Sequence, residues 1–132
     1  MIPIVYINCK CQPFIRQILN RTKLFETRNR NTLGRFLGER ILLAETGTGK
    51  HPVVKGSAVI SEIIEIYSPW AWDVNRLDCM IPVGSEYDWK PDTKKKVLYR
   101  LTDVRPCKPF VPTDDRRHGR VWMEYNGTDI FS

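Results

Sequence analysis

The sequence predicts a small α+β domain whose strands form a mixed sheet or a partly closed barrel with few helices. Three observations lead to this prediction. An apolar strand pattern at the N-terminus is followed directly by one short helical segment, and further strand patterns are then separated by turns rich in glycine and proline. The length of 132 residues, with 42% apolar and 27% charged residues, suits one globular domain, and we find no internal repeat or linker. We therefore expect a single domain over residues 1–132.

The first predicted elements are a strand, a short helix and an extended return. Residues 4–11 form the strand, because alternate residues make one wholly apolar face that we expect to point inward. Pro13 suits the first turn of the helix, whose apolar residues follow at helical spacing, and Asn20 is expected to end it. Residues 23–27 are extended again, and the basic residues 29–38 are expected to form a loop.

The rest of the chain is predicted to be mostly β. Four more strands are expected, over residues 39–45, 53–67, 96–104 and 120–125. Residues 46–52 form a turn or longer loop between the first two of these strands. Residues 68–92 hold three tryptophans among acidic residues and prolines, and their periodicity does not decide between helix and loop. The prolines at positions 106, 109 and 112 are expected to break the chain after residue 104.

Charge is distributed unevenly along the sequence. Residues 1–40 carry eight basic and two acidic side chains, residues 41–93 carry four and eight, and residues 94–132 carry nine and five. The net charge of +6 therefore comes from the two ends of the chain. If the ends meet in space, they form one basic face that attracts phosphate groups; the alternative is a solvated basic surface without a partner.

Several classes of protein are not expected. No basic residue precedes the N-terminal apolar stretch, and no apolar run approaches the roughly 20 residues that cross a bilayer. We therefore expect a cytoplasmic protein without a signal peptide or membrane association. The four cysteines lack the spacing of a zinc site and are expected to be free thiols. We expect no metal and no cofactor.

Motifs of common enzymes are also absent. Residues 47–50, Gly-Thr-Gly-Lys, resemble the end of the phosphate-binding loop motif. Ala44 and His51, however, stand where that motif requires glycine and a serine or threonine, so a hairpin turn is predicted. The nucleophile-elbow, zinc-protease and dinucleotide motifs are missing. His51 and His118 are the two histidines, and nothing singles out a serine to work with His118.

One charged segment is a candidate site. Residues 21–28 place four charges at the junction between the predicted helix and the next strand. Glu26 and Arg28 are two residues apart and so share a strand face, where the guanidinium can hold the carboxylate or both can face a ligand. Lys23 stands at the junction and could turn toward the same pocket. The alternative is a surface ion pair of small energetic value.

The order of these motifs resembles that of ASCH domains (activating signal cointegrator homology). Gln12-Pro13-Phe14, a short helix and then Lys23-x-x-Glu26-x-Arg28 resemble the opening of that family. The strand patterns around residues 39–43 and 56–60 resemble its central strands, and residues 98–122 resemble its closing part. The resemblance implies a PUA-like mixed β-barrel of about five to seven strands with a few short helices, and a cleft beside the first helix.

The resemblance also implies a binding site and a partner. Lys23, Glu26 and Arg28 become pocket residues, Gln12 lies nearby, and RNA or a nucleotide with a possibly modified base is the expected ligand. Glu26 would accept from an amine of the base while the two cations meet phosphate or carbonyl oxygens. The second basic cluster is expected to extend the phosphate track and comprises Arg116, Arg117, His118 and Arg120.

Other functions stay open. Some small ASCH proteins resemble amidohydrolases of 4-acetylcytidine, which use a lysine and a threonine three positions later. Lys23 matches that lysine, but Glu26 stands in place of the threonine, so Lys23 and Glu26 are the catalytic candidates without an assigned nucleophile. Other members are ribonucleases, for which no catalytic residues can be matched here. A protein-interaction module without a working pocket is a third possibility, and residues 46–52 or 68–92 could cover the pocket as a lid.

Overall fold

One mixed sheet is the framework of the part of the chain that the structure describes. In the computed structural model this part is residues 2–49 and 51–112, with the backbone alone of residues 122–125. The elements in chain order are β1 (Ile2–Asn8), α1 (Phe14–Leu19), β2 (Phe25–Arg28), a 3-10 turn (Gly34–Phe36), β3 (Arg40–Thr46), β4 (Val53–Ile66), α2 (Pro69–Cys79), β5 (Lys96–Phe110) and β6 (Trp122–Tyr125). The predicted α+β class is confirmed, with six strands among the described residues.

The strand order across the sheet is β2-β5-β4-β3-β1-β6. β1 and β3 run parallel, and every other neighbouring pair is antiparallel. The pairing of β4 with β5 shifts register at three places, and that of β3 with β4 shifts once. Such irregularities bend strands and increase their twist, which suits the half-barrel shape of this sheet.

The core lies on both faces of the sheet. The larger cluster includes Val5 and Ile7 of β1 and covers the face against which α1 and α2 pack. A smaller cluster on the other face contains Ile4 and Tyr6, so both faces of β1 are buried, not only the predicted one. The strand also ends at Asn8, and the cysteines at positions 9 and 11 lie beyond it.

Gly56 lets α1 approach the sheet closely. A Cβ atom at this position would lie 2.6 Å from Cδ2 of Leu19 in α1 and 2.7 Å from the backbone oxygen of Arg105 in β5. Both distances are shorter than any ordinary carbon contact, so only glycine fits between the helix and the two strands. This close packing fixes the position of α1, whose first residue lines the cavity described below.

The structure decides one segment that the sequence left open and corrects the predicted end of one strand. Residues 69–79 form the helix α2, although the periodicity of the sequence did not decide between helix and loop there. β5 continues through Pro106 and Pro109 to Phe110, whereas the strand was predicted to end at residue 104. β2 pairs only with the first part of β5, so the later part has β4 as its one neighbour within the described chain. Proline, which lacks an amide donor, is tolerated where a strand has such an unpaired edge.

Neither helix in the described ranges is long and apolar enough to cross a bilayer.

Candidate nucleic-acid interface

A cavity of about 260 Å³ lies beside the start of α1, between β1, β2 and the segment after α2. It extends to the end of β3, where Thr46 stands next to Asn8 of β1. The lining residues are Tyr6, Ile7, Asn8, Phe14, Glu26, Thr27, Arg28, Thr46, Ile81 and Tyr87. Pockets for drug-sized molecules hold roughly 300–1,000 Å³, so this smaller cavity suits a single polar ring.

Glu26 and Arg28 form an ion pair in the cavity wall. Nη2 of Arg28 lies 3.2 Å from Oε2 of Glu26 and also donates to the backbone oxygen of Tyr6 at 3.0 Å. Oε1 of Glu26 accepts from the amide of Thr27 at 2.9 Å. The side chains of Arg28 and Glu26 are 17% and 9% exposed, so both are largely buried in the wall of the cavity. The pairing expected from their two-residue spacing is present.

Arg28 retains hydrogen-bonding capacity that the surrounding protein does not use. Its Nε atom is buried and has no hydrogen-bond partner among the described residues. A buried N–H group is costly unless water or a ligand satisfies it. Arg28 therefore carries one donor that the described residues leave unsatisfied.

Lys23 lies behind the cavity and does not line it. The residue is 2% exposed, its Nζ donates to the backbone oxygen of Cys79 at 2.5 Å, and Nζ lies 4.3 Å from the ring centroid of Phe14. Burial lowers the pKa of Lys23, and the neighbouring Glu26 carboxylate opposes that shift. The structure therefore places Glu26 and Arg28 in the wall, while Lys23 supports Phe14 and the end of α2 from beneath.

Tyr87 belongs to the cavity wall although it lies in the irregular segment after α2. Its ring meets that of Phe14 edge to face, with centroids 5.7 Å apart. Burial, and a hydrogen bond from its hydroxyl to the Glu86 carboxylate, raise the pKa of Tyr87 to about 12. The sequence carries no periodic or motif signal that would have assigned Tyr87 to the site.

Asn8, Thr27 and Thr46 add further polar groups to the lining, and sequence reasoning missed all three. Gly47 follows Thr46 with φ +82°, and a Cβ there would lie 2.2 Å from Oδ1 of Asn8. Glycine is therefore needed for the β3–β4 turn to come so close to Asn8. The lining thus offers an amide, two threonine hydroxyls and a tyrosine hydroxyl around one ion pair.

The other predicted binding residues lie elsewhere. Oε1 of Gln12 accepts from Nε2 of Gln17 at 3.4 Å, so Gln12 lies beside α1 and outside the cavity lining. The second basic cluster falls outside the described residues; it comprises Arg116, Arg117, His118 and Arg120.

Two strand pairings bring the basic ends of the chain together. β1 pairs with β6, and β2 pairs with β5 so that Arg28 stands opposite Val97, directly after the lysine run 94–96. Both pairings join a strand from the first 40 residues with one from the last 39. The two ends of the chain are therefore joined along the backbone at each of the two edges of the sheet.

Comparison with solved structures gives the same architecture. The ASCH protein of Zymomonas mobilis matches with a TM-score of 0.68 over 83% of this chain and 72% of its own, at 22% sequence identity. Two single-residue variants of that protein match with TM-scores of 0.67 and 0.68, also at 22% identity over 83% of this chain; the matches cover 74% and 72% of the variant chains. The chain has the ASCH fold. No family model and no curated protein matches the sequence, so the likeness lies in the structure.

The ASCH fold confirms the architecture that the motif order had implied. A cavity also lies beside the first helix, where the resemblance had implied a cleft. Of the Lys23-x-x-Glu26-x-Arg28 residues, the last two line it, and the lysine lies in the layer behind.

Proposed function

We propose that this chain binds RNA or a nucleotide and recognises one base in the cavity beside α1. The observation that carries the proposal is the Glu26–Arg28 pair, held at 3.2 Å in the wall of a cavity large enough for one small ring. A carboxylate beside a guanidinium matches a ligand edge on which a hydrogen-bond donor stands next to an acceptor. The edges of nucleobases, with exocyclic amines beside carbonyl oxygens or ring nitrogens, have this chemistry.

Each polar group of the lining has a role in this proposal. Glu26 accepts from an exocyclic amine, while the guanidinium of Arg28 donates to a carbonyl or phosphate oxygen. The hydroxyl oxygen of Tyr87, whose proton is donated to Glu86, accepts from the side of the segment after α2, and Phe14 supplies an aromatic surface. The threonine hydroxyls can donate or accept, so they complete contacts to the ring or the sugar.

The distribution of charge supports a polyanionic partner. Basic residues predominate in the first 40 and last 39 residues, and β1–β6 and β2–β5 join these parts. In the proposal, this surface contacts phosphates and sets the register of the strand, while the cavity reads the base. The arginine-rich segment 116–120 extends the track. The four free cysteines suit a reducing compartment and hence a cytoplasmic location.

The hydrolase alternative finds less support than binding. A lysine that activates a nucleophile must reach the reacting group, but Nζ of Lys23 already donates to Cys79 and lies behind Phe14. Glu26 is engaged by Arg28 and by the amide of Thr27. We therefore assign these residues to binding and support.

The proposal is tested by titrating fluorescently labelled single-stranded RNA into the protein at 50 and 200 mM salt. We expect binding that weakens strongly at the higher salt, and an affinity loss of about tenfold or more for Arg28→Gln and for Glu26→Gln. Lys108→Gln, at an exposed site on β5 outside this cavity, is the matched control: it removes one surface cation, and its loss of affinity should be much smaller than that of Arg28→Gln. Thermal unfolding of each variant verifies that it is folded.

Three results would overturn the proposal. The first is the absence of any RNA or nucleotide binding. The second is binding that is independent of salt and unchanged in Arg28→Gln, which would remove both the phosphate contacts and the cavity from the proposal. Release of acetate from 4-acetylcytidine that disappears in Lys23→Ala would replace binding by hydrolysis.

A further inference from the structure

A second, more open cavity of about 440 Å³ lies at the end of β2, next to the first one. Its lining comprises Asn29, Arg30, Tyr67, Asp92, Thr93, Lys94 and Lys95. Arg28 lines the first cavity and Arg30 the second, and two residues of chain span at most about 7 Å. The two cavities are therefore neighbours along one edge of the molecule.

Tyr67 presents an aromatic ring at this second cavity. It follows the last residue of β4 and is 64% exposed, which is unusual for so large a side chain. Its hydroxyl donates to the carboxylate of Glu65, and that carboxylate lies 3.6 Å from Nζ of Lys95. These contacts hold the tip of the side chain, so the ring is oriented before any ligand arrives.

Cations surround this ring in excess over acids. Lys95 is paired with Glu65, whereas Arg30 and Lys94 form no ion pair within the described residues. Asp92 is the carboxylate among the residues that line the cavity. Two cations therefore face one carboxylate beside an exposed aromatic ring, the combination on which single-stranded nucleic acids bind through stacking and phosphate contacts.

We propose that this second cavity is a subsite for the nucleotide adjacent to the one in the first cavity. The ring of Tyr67 stacks on the base, and Arg30 and Lys94 contact the phosphate that links the two nucleotides. This inference rests on the proposed function and extends it from one base to a single-stranded segment of at least two nucleotides.

The experiment measures binding of a labelled hexa-adenylate RNA to five variants, one of which is Arg28→Gln. Tyr67→Ala should weaken binding about tenfold, because it removes the stacking surface for one base, while Tyr67→Phe keeps the ring and should bind nearly as the natural chain does. Trp70→Ala removes an aromatic side chain that is 77% exposed but lies outside both cavities, and it should have no effect. The double variant Arg30→Gln/Lys94→Gln should lower the slope of log affinity against log salt by about 0.7 for each phosphate that these cations neutralise in the natural chain.

The outcomes separate the two proposals. If Arg28→Gln weakens binding but Tyr67→Ala does not, or does so no more than Trp70→Ala, the subsite is overturned and the proposed function stands. If Tyr67→Ala weakens binding and Arg28→Gln does not, the subsite stands and the first cavity is not the base site. If hexa-adenylate does not bind the natural chain at all, both proposals fall.

Discussion

Lys23 and Arg28 are only five residues apart, yet their side chains meet very different surroundings. Arg28 and Glu26 lie on β2, whose two-residue period puts them on one face, so their pairing could be predicted from spacing. Lys23 precedes the strand, where no period sets its direction. Its side chain is directed by the backbone oxygen of Cys79, a contact 56 residues away that no local pattern reveals.

Replacing Lys23 by methionine should change how stability depends on pH. Burial lowers the pKa of Lys23 in the folded protein, whereas the unfolded chain has the ordinary value of about 10.4. Between these two values the unfolded state binds more protons, so this residue makes stability rise with pH, and Lys23→Met removes that contribution. Urea unfolding at several pH values from 7 to 10.5 measures this contribution. The free energy of unfolding of the natural chain should increase relative to that of the variant as pH rises.

Other groups titrate in the same range and make the comparison between two proteins necessary. Burial raises the pKa of Cys79 to about 12, and the pKa of Tyr87 is raised to a similar value. Both groups therefore lower the free energy of unfolding as pH rises. Tyr87 acts alike in the two proteins, whereas the Lys23 charge lowers the pKa of Cys79, so Lys23→Met raises that pKa further and adds to the difference in the same direction. For Lys108→Met, at an exposed position, the curve of unfolding free energy against pH should run parallel to that of the natural chain. Parallel curves for Lys23→Met as well would show that the buried lysine titrates normally.

Among the elements, α2 explains why apolar periodicity did not decide the structure of residues 68–92. Its apolar residues Trp70, Val74 and Leu77 recur at helical spacing but are exposed, whereas the helix buries only Trp72 and Cys79. A pattern that assumes an apolar face toward the core therefore fails here. The capping signal was present in the sequence as serine followed by proline, which begins the helix.

The two central strands were predicted closely, whereas prolines misled the prediction of β5. β3 and β4 begin and end within one residue of the predicted positions, because their apolar runs are buried on both faces. β5 runs six residues further than predicted. Whether proline ends a strand depends on the presence of a second neighbour, which is a property of the sheet and not of the local sequence.

The N-cap of α2 should contribute measurably to stability. The side-chain oxygen of Ser68 accepts from the amide of Ala71 at 3.2 Å, and loss of such a cap costs about 1 kcal/mol. Ser68→Ala should therefore lower the free energy of unfolding in urea by about that amount. Thr48→Ala, in the exposed β3–β4 turn, is the control and should change stability by less than about half as much. Equal effects of the two substitutions would contradict a capping role.

In the molecule as a whole, the cavity depends on contacts between parts that are distant in the sequence. Its walls come from β1, α1, β2, the end of β3 and the segment after α2. Sequence motifs identified α1 and β2 as one side of it, since these are consecutive in the chain. The contributions of Thr46, Ile81 and Tyr87 depend on the parallel pairing of β1 with β3 and on α2 packing beside β2, which are long-range contacts.

Because five parts of the chain build one cavity, a ligand bound there should stabilise the entire fold. At a concentration of about 100 times its Kd, a ligand that binds only the folded state adds about 2.7 kcal/mol to the free energy of unfolding. Thermal unfolding with saturating hexa-adenylate RNA should therefore give a higher Tm for the natural chain and for Lys108→Gln. Arg28→Gln at the same RNA concentration should lose about half of this increase, because a tenfold lower affinity leaves a stabilisation of about 1.4 kcal/mol. An increase in Tm that Arg28→Gln retains in full would mean that the RNA binds on the basic surface without using the cavity.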